Sequence, residues 1–156
     1  MRNTIAGRLL VAAALLIGFS ATTYAQDACD ATSFKGAFGY KLTGSYYDSN
    51  YYVYLIGAVG RLVSDGSGAI TATDTFNNDG SASKRQLTGT YVVNEDCTGS
   101  LILSGSGTFV THADFVIMND GKEISLVQTD SGIILTGELK LQKQTAPAAT
   151  PAAPTQ

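Results

Sequence analysis

Residues 89–103, Gly-Thr-Tyr-Val-Val-Asn-Glu-Asp-Cys-Thr-Gly-Ser-Leu-Ile-Leu, read as strand, turn and strand with a cysteine in the turn. Two apolar runs, 91–93 and 101–103, flank a cluster of Asn, Asp, Thr and Gly. Such a cluster reverses the chain through local side-chain hydrogen bonds and permissive glycine backbone. The segment is therefore a hairpin. Cys97 ties it to a distant point, because the only other cysteine is Cys29.

Working outward, the same alternation of β run and glycine turn continues along the chain. Eight β runs are predicted, at about 34–44, 52–64, 69–77, 83–94, 100–104, 108–118, 123–129 and 133–142. Six of the seven connections, 65–68, 78–80, 96–99, 105–107, 119–121 and 130–132, are short and carry Gly with Asp, Asn or Ser, residues that take the positive φ angles of tight hairpins. Short turns in series make a meander. No segment beyond the amino terminus repeats apolar residues at helical spacing behind a cap, so almost no helix is expected.

Eight consecutive antiparallel strands must close or expose two edges, and an all-β, eight-stranded antiparallel up-and-down barrel removes both. A two-layer β-sandwich is the alternative. The triplet Leu-Thr-Gly at 42–44, 87–89 and 135–137 fits closure, since glycine inside a strand marks a bend or a close backbone approach. The cysteines fit it too. In a meander barrel the entry to strand one and the turn between strands four and five share one end, and those are the places of Cys29 and Cys97. A bridge there would draw residues 26–33 across that mouth and plug it. The free end would carry the loops near 45–51, 78–82, 105–107 and 130–132.

Any ligand site is expected at that free end. Tyr46, Tyr47, Tyr51, Tyr52 and Tyr54 crowd into or beside its first loop, around Asp48-Ser49-Asn50. Tyrosine combines a flat apolar face with a hydroxyl, as ligand-gating and sugar-stacking surfaces require.

The amino terminus bounds the compartment. Arg2 and Arg8 precede an apolar run at 9–19, and Thr23-Tyr24-Ala25 supplies small residues for cleavage, so residues 1–25 read as a signal peptide. The apolar run is shorter than the roughly 20 residues a membrane span needs. Beyond it, 26–144 is one domain, and 145–156, built only from Thr, Ala, Pro and Gln with three prolines, is a disordered tail or spacer. Losing the two leader arginines leaves eight basic residues (10 − 2) against 13 acidic ones, a net charge of −5. That excludes charge-driven binding to nucleic acid or anionic membrane. A paired cysteine count in an exported chain reads as a disulfide. The expected setting is secreted or periplasmic.

Chemistry-bearing residues are few. His112 and Asp114 stand on one strand face and can pair as base and orienter, but no nucleophile elbow or second histidine accompanies them. The stretch Asn77-Asn78-Asp79-Gly80 approaches a calcium loop, with Asp74 one place early for its opening acid, and reads as a hairpin turn instead. Glu95-Asp96 is a solvated turn pair. No catalytic residue, metal site or cofactor is predicted.

The opening Phe34-Lys35-Gly36-Ala37-Phe38 and the meander resemble the calycin superfamily, including lipocalins and avidins, whose Gly-x-Trp start would fall on Gly36 and Phe38, with Phe in place of Trp. The run 89–99, of the form GTYxVNxDCTG, together with Val-Gln-Thr-Asp-Ser-Gly at 127–132, more closely resembles small secreted bacterial β-barrel proteins that bring no catalytic residues with them. The calycin resemblance implies a barrel that binds a small hydrophobic ligand, and no enzymatic activity is expected. Two functions follow as expectations: a barrel binding a small apolar or sugar-like molecule at its open mouth, or a structural and interaction module of the cell envelope with a filled interior.

Overall fold

The computed structural model describes residues 28–105 and 110–143. The segments read as signal peptide and tail, and most of the connection near 105–107, lie outside the described residues. The chain forms β1 (Gly36–Tyr47), β2 (Val53–Ser64), β3 (Ala69–Asn78), β4 (Ser81–Val93), β5 (Thr98–Ser104), β6 (Val110–Met118), β7 (Glu123–Gln128) and β8 (Ile133–Leu141). Each strand pairs antiparallel with the next, and β8 pairs with β1, so the barrel is closed. It is up-and-down, not a sandwich.

Period-2 alternation places the inside. In β3, Ile70, Ala72 and Asp74 are buried while Thr71, Thr73 and Thr75 face solvent. The register carries this around the barrel, with Leu62 opposite Ala72 and Ala72 opposite Leu87. The Leu-Thr-Gly glycines sit where neighbouring backbone comes too close for a side chain. A Cβ on Gly44 would collide with the Ile134 carbonyl, one on Gly89 with the Ile102 carbonyl, and one on Gly137 with Leu42 and the Lys41 carbonyl. Closure therefore requires these glycines.

Phe34 departs from its expected place in strand one. Residues Ala31–Phe34 form a single 3-10 turn capped by Asp30, whose carboxylate accepts from the Thr32 amide at 2.8 Å and from the Thr32 hydroxyl at 2.6 Å. The cap aims Phe34 into the barrel. There its ring meets Phe38 at 5.3 Å, Tyr91 at 4.9 Å and Phe115 at 5.2 Å between centroids, and it has no exposed surface. Edge-on and tilted aromatic contacts of this kind add to what burial alone contributes. Tyr91 fixes the turn from the other side, its hydroxyl donating to the Ala31 carbonyl at 2.8 Å.

The disulfide locks that plug. Cys29 and Cys97 are bonded across a sequence separation of 68, with their Cα atoms 5.0 Å apart. The Cys29 amide also donates to the Glu95 carbonyl at 3.1 Å. Three short Asp-x-Ser/Thr turns recur at this end. Asp65 and Asp96 accept from the hydroxyl and amide of Ser67 and Thr98, as Asp30 does from Thr32. Side-chain and then backbone hydrogen bonds hold all three carboxyls below the ordinary aspartate value of 3.8. Their depressed values mean that each contribution is present above about pH 4 and is lost as the pH falls further.

Reducing the bond frees the plug as well as the chain. On the loop-entropy model a closure of this length contributes about 4 kcal/mol. We expect Cys29→Ser/Cys97→Ser to lower the melting temperature of the protein by on the order of 15 °C or more, measured by circular dichroism. An unchanged melting temperature would show that Phe34 stays seated without the bond.

Candidate functional site

The plugged half of the barrel is filled by Phe34, Phe38, Tyr91, Phe115 and the aliphatic residues around them. The other half is not. A cavity of about 350 Å³ extends from Leu62, Leu101 and Leu139 at mid-barrel to Tyr46, Asn78, Thr111 and Ile133 near the free end. Leu42, Ile56, Leu87, Leu103 and Leu135 make most of its wall apolar. The strands supply these residues by parity, for they are the inward positions nearer the free end.

A polar row interrupts the apolar wall. Tyr40 pairs with Gly60, Gly60 with Asp74, and Asp74 with Arg85, so four residues on β1 to β4 lie side by side on the inner surface. Gly60 has no side chain to separate its neighbours, and a Cβ there would run into Asp74 and the Thr73 carbonyl. Across that gap the Tyr40 hydroxyl donates to Asp74 Oδ2 at 2.8 Å. Arg85 grips the same carboxylate with two bonds, Nε to Oδ1 at 2.9 Å and Nη2 to Oδ2 at 2.6 Å. Its guanidinium also lies over the Phe76 ring, 4.0 Å from the centroid. The bidentate geometry and the stacking are specific to arginine. Asp74 is fully covered, so the pair matches a charge that could not stand alone in an apolar wall.

Asp74, one place early for a calcium loop in the sequence, belongs to the inner wall of the barrel rather than to the turn that follows β3. It points inward to Arg85. The signal was available: Asp74 shares parity with Ile70, Ala72 and Phe76, and Arg85 with Leu87 and Tyr91, so alternation alone puts opposite charges on facing inner positions. Residues 77–80 form the β3–β4 turn, with Asp79 and Gly80 both at positive φ and the Gly80 amide donating to Asn77 Oδ1 at 2.9 Å. That is the geometry of a two-residue hairpin.

His112 is also paired differently from the expectation. Asp114 lies on the same outer face, but the partner is Asp130, whose Oδ1 is 2.7 Å from His112 Nδ1. Asp130 also accepts from the His112 amide at 2.9 Å and from Gln128 Nε2 at 2.8 Å. Burial opposes ionisation of Asp130, but these bonds prevail and hold its carboxyl below the ordinary value. The cluster braces the turn into β8. His112 itself faces outward, and it does not line the cavity.

The five tyrosines divide. Tyr46, at the end of β1, lines the cavity, and Tyr54 stacks on it with centroids 5.0 Å apart. Tyr54 also reaches Asp48, its hydroxyl 3.4 Å from Oδ2. Tyr47 and Tyr51 stack outside at 6.5 Å, with Tyr51 83 % exposed and held at φ 63°, and Tyr52 is exposed beside them. Tyr46 is thus the member of the cluster that borders the interior, while Tyr47, Tyr51 and Tyr52 stand on the rim. Asn78 is an addition that the tyrosine pattern did not suggest. Its Nδ2 donates to the Tyr46 hydroxyl at 3.4 Å.

With this geometry established, comparison with known proteins gives a likeness of fold. A solved structure, a de novo designed fluorescence-activating β-barrel, superposes with a TM-score of 0.52 at 12% identity, covering 73% of this chain and 99% of the designed one. The shared feature is the closed barrel. No protein-family model matches the chain, and no curated protein matches it significantly.

The polar row has a pH signature. Burial, followed by the hydrogen bond to Asp74 and that carboxylate's charge, pushes the Tyr40 hydroxyl well above the ordinary tyrosine value of 10.0, with Arg85 pulling the other way. Above about pH 10 the unfolded chain ionises this tyrosine while the folded chain keeps its proton, so stability present below that pH is lost as the pH rises. We expect Tyr40→Phe to cost about 1.5 kcal/mol at neutral pH and to flatten the loss of stability between about pH 9.5 and 11.5, followed by urea unfolding. Equal alkaline slopes in both proteins would show that Tyr40 is not the group responsible.

Proposed function

We propose that this protein is a non-catalytic carrier that holds a small, largely apolar molecule in the free half of its barrel. The observation that carries the reading is the apolar cavity of about 350 Å³ above a filled, disulfide-locked half. Small-molecule pockets begin at about 300 Å³ and are mostly apolar with a few placed polar groups. The lining has that character, with Tyr40, Asp74, Arg85, Asn78, Thr111 and Gln128 as its polar members apart from Tyr46.

The cavity favours this reading over a structural module of the envelope with a filled interior. It also favours an apolar guest over a sugar-like one, because aliphatic side chains satisfy few hydroxyl groups. Tyr47, Tyr51 and Tyr52 then serve as a rim past which the guest enters. The non-catalytic part of the proposal is supported by the placement of His112 outside the cavity, paired with Asp130. The disulfide points to an oxidising, extracytoplasmic setting. A calycin-like secreted carrier, as the opening motif suggests, is consistent with that setting.

The test is titration of the exported protein with a neutral solvatochromic naphthalene dye. One-to-one, saturable, blue-shifted binding is expected. Leu103→Trp, which fills the cavity from β5, should weaken it by at least about tenfold, since a tryptophan occupies the volume the dye requires. Dye binding that is absent, or indifferent to Leu103→Trp, would remove the support for a carrier.

A further inference from the structure

Gln128 ends β7 beside the turn into β8, and it points inward, paired with the buried Ala113 and only 8 % exposed. It lines the cavity, as Thr111 and Leu135 do. Its Nε2 donates to Asp130 Oδ2 at 2.8 Å. Asp130 is itself held by His112, through the backbone amide at one carboxylate oxygen and the ring at the other. An ionised carboxylate only accepts hydrogen bonds, so the Gln128 carboxamide has one orientation, nitrogen toward Asp130 and oxygen turned from it. Among the described residues, the unpartnered side-chain polar atom that is sealed from water is Asn78 Oδ1. Gln128 Oε1 also accepts no hydrogen bond from the described residues, but a molecule the size of water can reach it. Because the side chain is directed into the barrel, the surface it keeps belongs to the cavity.

We propose that Gln128 Oε1 accepts a hydrogen bond from the barrel's guest, which assigns the ligand class as a neutral, largely apolar molecule with a hydroxyl or N–H at one end. This inference rests on the carrier reading above. An apolar guest that displaced water from this oxygen without replacing its bond would leave an acceptor unpaired, whereas a guest that donates would not. Neutrality follows from the charges in the wall. Asp74 and Arg85 are the charged lining residues, and they are bound to each other through two hydrogen bonds. A guest with a net charge would lose its hydration without meeting an unmatched opposite charge. Gln128 sets the polar end on the β6–β7 side of the free half, and the apolar body lies among Leu42, Leu103 and Leu135.

Three probes of nearly equal shape separate the possibilities: 2-naphthol, which donates; 2-methoxynaphthalene, which only accepts; and 2-methylnaphthalene, which does neither. Their affinities for the disulfide-bonded protein are measured by fluorescence or calorimetry. The expected order places 2-naphthol about tenfold tighter than the other two, the effect of one hydrogen bond. In Gln128→Met, which keeps the length of the side chain and removes the acceptor, the advantage should shrink to less than about twofold while 2-methylnaphthalene binds as before. Should that variant fail to fold, the unmodified protein still decides, because nuclear Overhauser contacts from the ring protons flanking the naphthol hydroxyl should reach the Gln128 side-chain methylenes. Their absence from a bound naphthol would overturn the assignment. Equal binding of all three probes would overturn it while leaving the carrier reading intact. A preference for 2-methoxynaphthalene would do the same, since the wall would then be donating, as the Thr111 hydroxyl can. A 2-naphthol advantage that persists in Gln128→Met would place the acceptor elsewhere. Binding of none would overturn the carrier reading and this proposal with it.

Discussion

The seating of Phe34 inside one end of the barrel is the contact on which the rest of the structure depends. An eight-stranded barrel removes its sheet edges, but its interior must still be filled or left hollow at each end. Phe34, entering from outside the sheet, meets three aromatic rings at one end and makes a close-packed core there. The disulfide between Cys29 and Cys97 holds the segment that carries it. With one half packed in this way, the other half is free to remain open. The division of labour is a physical one: aromatic volume at the plugged end provides stability, and aliphatic walls at the free end enclose space.

The hollow half needs its own support, and the row of Tyr40, Gly60, Asp74 and Arg85 supplies it. Buried ion pairs seldom stabilise a fold more than apolar side chains of the same volume would, but losing one partner is costly. The row's contribution is therefore better understood as fixing how β1, β3 and β4 stand relative to one another, with Gly60 on β2 leaving the path clear. Arg85 spans the wall from Asp74 to the Phe76 ring. The same arc borders the cavity from β1, β3 and β4. Asn78 and Tyr46, one at the end of β3 and the other near the end of β1, line the outer end of the cavity and are hydrogen-bonded to each other.

Most of the fold could be read from the sequence, because its signals are local. Alternating runs and glycine-bearing turns such as Asp65-Gly66, Asp79-Gly80 and Asp120-Gly121 mark eight strands in order, and the positions of Cys29 and Cys97 indicate which end is closed. The boundary of strand one could not be read as easily. Phe34 continues an apolar pattern with Phe38, and the Asp30 cap, the Tyr91 hydroxyl and the disulfide together turn that segment into the plug. The site was less legible. Tyrosine clustering led to Tyr46 on the cavity, but also to Tyr47, Tyr51 and Tyr52, whose alternation and loop positions put them on the outer rim. Nearness in sequence pairs His112 with Asp114, whereas the barrel brings Asp130 across from the next turn. Asp74 and Arg85 carried a usable signal in their parity.

The central claim is that the barrel is packed at one end and hollow at the other. A crystal structure of the disulfide-bonded protein under xenon pressure tests it most directly, because xenon enters apolar cavities that are large enough and leaves close-packed cores empty. The account predicts xenon among Leu42, Leu103 and Leu135 and none between Phe34, Phe38 and Phe115. Side chains collapsed across the free half with no xenon there, or xenon beside Phe34, would contradict it.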